Sequence, residues 1–111
     1  MPINPIVPNP ESIRSKIKLE VVIDKISLYE REMGEEAGVL LIQNTSFGSI
    51  YYIRTKSEAE EDIRSPRTCE WDIKFYPRKY FEELRRVLES GKKLDYSKLE
   101  RYVLYRQQVA A

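Results

Sequence analysis

Apolar and polar residues first alternate at Ile17, Leu19, Val21 and Ile23, which take turns with Lys18, Glu20, Val22 and Asp24. A period of two marks a half-buried strand. The apolar phase slips at Ile26 and Leu28, which predicts either a bulge near Asp24–Lys25 or two short consecutive strands. Arg31 to Gly38 reads as a charged turn, and Val39-Leu40-Leu41-Ile42 as a strand that is apolar on both faces. After a turn at Asn44–Ser49, with Gly48 at its positive-φ position, Ile50 to Lys56 is rich in residues that suit a pleated surface.

Ser57 to Arg67 reads as an acidic loop carrying Glu58, Glu60, Glu61 and Asp62. The cleanest alternation follows, with Cys69, Trp71, Ile73 and Phe75 on one side and Thr68, Glu70, Asp72 and Lys74 on the other. Pro77 suits the start of a helix. From there Tyr80, Phe81, Leu84, Val87 and Leu88 form one helical stripe that Ser90-Gly91 closes. Asp95 is placed to cap a last helix with Tyr96, Leu99, Tyr102 and Val103 as its apolar positions. The pattern predicts an α+β fold: a four-stranded antiparallel β-sheet followed by two C-terminal helices packed on one face. Residues 1–15 hold Pro2, Pro5, Pro8 and Pro10 and read as a proline-rich arm, ordered only if it docks through Ile3, Ile6 or Val7. Residues 16–111 form the single domain.

Composition narrows the chemistry. The chain has 111 residues, 41% hydrophobic and 33% charged, with net charge +1, one cysteine and no histidine. No apolar run reaches the roughly 20 residues that span a bilayer, and no signal-peptide core follows Met1, so a cytoplasmic protein is expected. A single cysteine makes no internal disulfide, and the lack of histidine removes common zinc sites and His-based triads. Cys69, on the apolar side of its strand, reads as a small buried hydrophobe. The pair Glu70/Asp72 shares a strand face, where carboxylates are usually solvated or bridged to lysine rather than metal-bound. No glycine-rich phosphate loop is present. The expectation is a non-enzymatic protein with no cofactor and no metal. Its high charge and its scarcity of glutamine, cysteine and histidine lean toward a thermophilic source.

Charge is segregated. Lys74 to Arg106 carries ten basic against five acidic residues, and Glu58 to Asp72 six acidic against two basic. On the strand Ile50–Lys56, Tyr52, Arg54 and Lys56 share one parity. If Ile53 faces the helices, an aromatic ring flanked by cations lies on the open sheet face, the arrangement on which bases stack and phosphates pair. This predicts a single-stranded DNA or RNA site in which Tyr52 stacks and Arg54, Lys56 and Lys74 contact phosphates. Arg31 and Lys25 join them if the first strand and its hairpin rim that face. Pairing of Arg54 and Lys56 with Glu70 and Asp72 across the sheet would instead make an ordinary ion-paired surface.

The run Ile73-Lys74-Phe75-Tyr76-Pro77-Arg78-Lys79-Tyr80-Phe81-Glu82-Glu83-Leu84 resembles the last-strand-to-helix junction of the positive-cofactor-four-type coactivators and the related Whirly and Pur-alpha-like proteins. Ile73, Phe75, Pro77, Tyr80 and Leu84 carry the resemblance, and all are structural positions. It implies a curved four-stranded sheet, a following helix, a homodimer and single-strand binding through the sheet. The alternative is a small protein–protein interaction module, a subunit or inhibitor acting through its arm, helices and charged patches. Its basis is the near-neutral charge and the surplus aromatics near the C-terminus.

Overall fold

The computed structural model describes residues 6–44, 48–65 and 71–106. Its first long element is a helix, α1 (Lys16–Met33), where alternation predicted a strand. The Ser15 side chain caps it by accepting the Lys18 N–H at 3.2 Å. Gly34 closes it at φ 72°, donating its N–H to the Glu30 carbonyl. The misreading has a physical cause. Leu19, Val22, Ile23, Ile26 and Tyr29 are buried on one face, while Ile17, Val21 and Leu28 project to solvent on the opposite one. Inward and outward apolar residues interleave along the chain, so a helix with two apolar faces imitates a period of two. The slip at Ile26 and Leu28 needs no bulge, because one points in and the other out.

The sheet is built on β1 (Ala37–Asn44), flanked by β2 (Gly48–Thr55) and β3 (Asp72–Pro77), all antiparallel in the order β2-β1-β3. Being central, β1 buries both faces. Val39 and Leu41 join the core beneath α1, and Leu40 and Ile42 the core on the other side. Gly38 pairs with Pro77, and a Cβ there would run into the Tyr76 carbonyl oxygen and come 2.9 Å from the Phe75 ring. Only glycine lets the two strands approach so closely.

The expected loop after β2 is instead a helix, α2 (Lys56–Arg64). Thr55 accepts the Glu58 N–H at 3.1 Å and the Glu58 carboxylate accepts the Thr55 N–H at 3.0 Å, a reciprocal cap. Ala59 and Ile63 of α2 meet Leu40, Ile42, Ile73 and Phe75. α3 (Arg78–Ser90) follows Pro77 directly and buries Tyr80, Phe81 and Leu84 on the α1 side. Helices therefore cover both faces of the sheet, where one covered face was expected.

The predicted last helix is one turn, α4 (Tyr96–Leu99), continued by a 3-10 turn (Glu100–Tyr102). Those two turns suffice to bring Tyr96, Leu99 and Tyr102 onto the core. The chain then extends into a three-residue strand, β4 (Leu104–Arg106), beside β3. The α+β class and the antiparallel sheet stand, but four strands followed by two C-terminal helices do not. The arm docks from Ile6 onward: Ile6 bridges Tyr52, the Val7 N–H donates to the Tyr51 carbonyl at 3.0 Å, and the Val7 side chain is buried. Ile3, Thr68, Cys69 and Glu70 lie outside the described residues.

Candidate interaction surface

β2 sends Ile53 beneath α1 and α3 and Tyr52 and Arg54 to the opposite face, because paired residues in its register with β1 share a face. That face carries α2. The Arg54 guanidinium spans two of its carboxylates: Nη1 donates to Glu58 at 2.8 Å and Nη2 to Asp62 at 2.9 Å, while Nε reaches Asp62 at 3.3 Å. It also lies 5.7 Å from the centre of the Tyr52 ring. The Tyr29 hydroxyl donates to Glu58 at 2.8 Å, so one carboxylate ties together α1, β2 and α2. Burial pushes Glu58 up, but the Thr55 amide, Tyr29 and Arg54 outweigh it and hold the carboxyl below its usual range. Burial and then the bond to Glu58 raise Tyr29 to about 12. Burial raises Tyr52 as well.

The six expected nucleic-acid contacts do not converge. Tyr52 and Arg54 are neighbours, and the guanidinium is engaged by Glu58 and Asp62 of α2. Lys56 is the exposed first residue of α2, and its N–H donates to the Glu36 carbonyl at 2.8 Å. Lys74 pairs with Leu41 and so projects from the α1 side of the sheet, opposite Tyr52. Lys25 and Arg31 sit on α1, not on a curved strand or its hairpin rim.

A different surface was hidden by the strand reading. Ile17, Val21 and Leu28 are 80%, 49% and 55% exposed and line up along the outer face of α1 with Asp24 between them. With Asp24 counted as a seam position, the 4-3-4 spacing is that of a helix-pairing seam. The signal in the sequence was Ser15 and Gly34 bracketing an 18-residue segment, a cap and a stop for one helix. On the flank toward α3, Glu20 pairs with Arg85 at 2.8 Å and Lys16 with Glu89 at 3.2 Å. Arg78 pairs with Glu30, whose other oxygen accepts the Ala37 N–H at 3.0 Å, which anchors the end of α1 to β1 and α3.

A second surface is a shallow groove of about 370 Å³ between the end of α3 and α4. Arg86, Lys92, Lys93, Lys98 and Arg101 line it against two acids. Of these, Glu83 pairs with Arg86 at 3.4 Å, and Asp95 accepts the Ser97 N–H and hydroxyl. Among the described residues no group of three or more His, Cys, Asp or Glu side chains is arranged to hold a metal ion, and no helix is long and apolar enough to cross a membrane. Protein-family models, curated proteins and solved structures give no match to the chain.

Proposed function

We propose that this chain is a small non-enzymatic interaction module that pairs with a second copy of itself through the outer face of α1. One observation carries the reading: α1 has apolar side chains on two opposite faces, and among the described residues only one of them is packed into the core. A solvated helix gains nothing from Ile17, Val21 and Leu28, whereas a paired one removes them from water. Fully burying one aliphatic side chain is worth about 1.5–3 kcal/mol. The exposed shares of these three come to a little under two such residues per copy, about 5–11 kcal/mol for a pair. Association costs on the order of 4–15 kcal/mol in lost freedom. The stripe therefore supports a dimer that dissociates on dilution. Sedimentation velocity over a concentration series tests this: mass should rise toward that of two chains, and Val21→Asp, on the exposed face, should hold it at one.

The basic groove favours a second reading, single-stranded nucleic acid held through its phosphates away from the sheet. Lys92, Lys93 and Lys98 make no ion pair among the described residues, and cations so placed release counterions when they meet a polyanion. Oligonucleotide binding that weakens with salt and is lost in Lys92→Glu/Lys93→Glu/Lys98→Glu supports it. Unchanged binding in that variant refutes it.

A further inference from the structure

We infer that two copies of α1 pair antiparallel, about a two-fold axis near Asp24 and Lys25, and that the charges bordering the apolar stripe set this register. The inference rests on the self-association reading and adds its geometry. A helix turns about 100° per residue, so residues seven apart point nearly the same way. Lys18, Lys25 and Glu32 therefore run along one border of the Ile17–Val21–Leu28 stripe. Glu20, Ser27 and Arg31 run along the other. Each border carries opposite charges at its two ends, and the sense is reversed between the borders.

A two-fold axis perpendicular to the helix brings each border against the same border of the second copy, running the other way. Lys18 then faces Glu32 of the second copy, and Glu20 faces Arg31 of the second copy, each pair occurring twice. Val21 meets Leu28 of the second copy, and Ile17 lies over the aliphatic stems of its Arg31 and Glu32. At the centre Asp24 and Lys25 of each copy lie together with Asp24 and Lys25 of the second copy. Lys18, Asp24, Lys25, Arg31 and Glu32 form no ion pair within the chain among the described residues, so their charges remain available. Glu20 shares its carboxylate with Arg85.

A parallel pair also matches the borders, Lys18 to Glu20 and Arg31 to Glu32, but it aligns the two helix dipoles, which favours the antiparallel arrangement. A polar residue within an apolar seam is a known means of fixing register at some loss of affinity.

Charge exchange at exposed positions tests the register by sedimentation equilibrium, with circular dichroism confirming the fold. Lys18→Glu turns two attractions into two repulsions and should weaken the dimer about tenfold at low salt. Adding Glu32→Lys in the same chain should restore it. Restoration by Glu20→Lys in place of Glu32→Lys would establish the parallel arrangement and overturn the inference. A dimer that Val21→Asp dissociates but that ignores every charge variant would overturn the register while leaving self-association intact. A chain that stays monomeric at all concentrations would overturn both.

Discussion

Replacing Arg54 by methionine keeps most of the aliphatic stem and removes the guanidinium that joins β2 to α2. The side chain is 23% exposed, and its Glu58 and Asp62 partners are comparably covered. Breaking a fully buried pair costs about 3–5 kcal/mol, and an exposed one at most about 1 kcal/mol. Three charge-assisted bonds at intermediate exposure place Arg54→Met at about 2–3 kcal/mol. Glu58 keeps the Thr55 amide and the Tyr29 hydroxyl. With an urea slope of roughly 1–3 kcal/mol per molar, the midpoint should fall by about 1–2 M. A double-mutant cycle with Asp62→Asn should return a coupling of at least about 1 kcal/mol. A loss under about 0.5 kcal/mol, or independent effects in the cycle, would refute the view that this fork holds α2 against the sheet. In either case Arg54→Met should leave any affinity for oligonucleotides unchanged.

Gly38→Ala should destabilise by about 2 kcal/mol or more, since its methyl meets the Tyr76 carbonyl and the Phe75 ring; a thermal melt within a degree of wild type would contradict that contact. The Tyr80 hydroxyl is buried with no hydrogen-bond partner among the described residues, so Tyr80→Phe should leave chemical stability unchanged or raise it by up to about 1 kcal/mol. The Tyr29 phenol is raised to about 12, and its protonated form is the one the fold favours. Its contribution is complete below the unfolded value of about 10 and is lost as pH climbs through the folded value. Tyr29→Phe should flatten the fall in stability across that alkaline interval, measured by urea melts at several pH values. Glu58 is shifted the opposite way, so its contribution is present above about pH 4.3 and fades as pH drops through its lowered folded value; Glu58→Gln should shrink the acid-side loss.

Where a segment's apolar pattern fitted one element only, the pattern was readable. The stripe Tyr80–Leu88 became α3, Pro77 and Gly91 bounded it, and Val39–Ile42 became a strand buried on both sides. The failures came from local signals that competed. In α1, outward Ile17 and Val21 interleave with inward Leu19 and Ile23, and the caps Ser15 and Gly34 were the better guide. In α2, a run of acids looked like a loop, although Thr55 and Glu58 already stood at cap spacing. Parity correctly put Tyr52 opposite Ile53, but parity is blind to what lies above a face. The partners of Arg54 came from a helix only four to eight residues farther along the chain. Lys74 was misplaced because the helices were assigned to one side of the sheet, whereas they lie on both.

Sedimentation equilibrium of the wild-type chain beside Val21→Asp addresses the outer face of α1 most directly. A reversible monomer–dimer equilibrium in the wild type, absent from a folded Val21→Asp variant, is the expected result. A wild type of one-chain mass at every concentration, or a dimer indifferent to Val21→Asp, would contradict it.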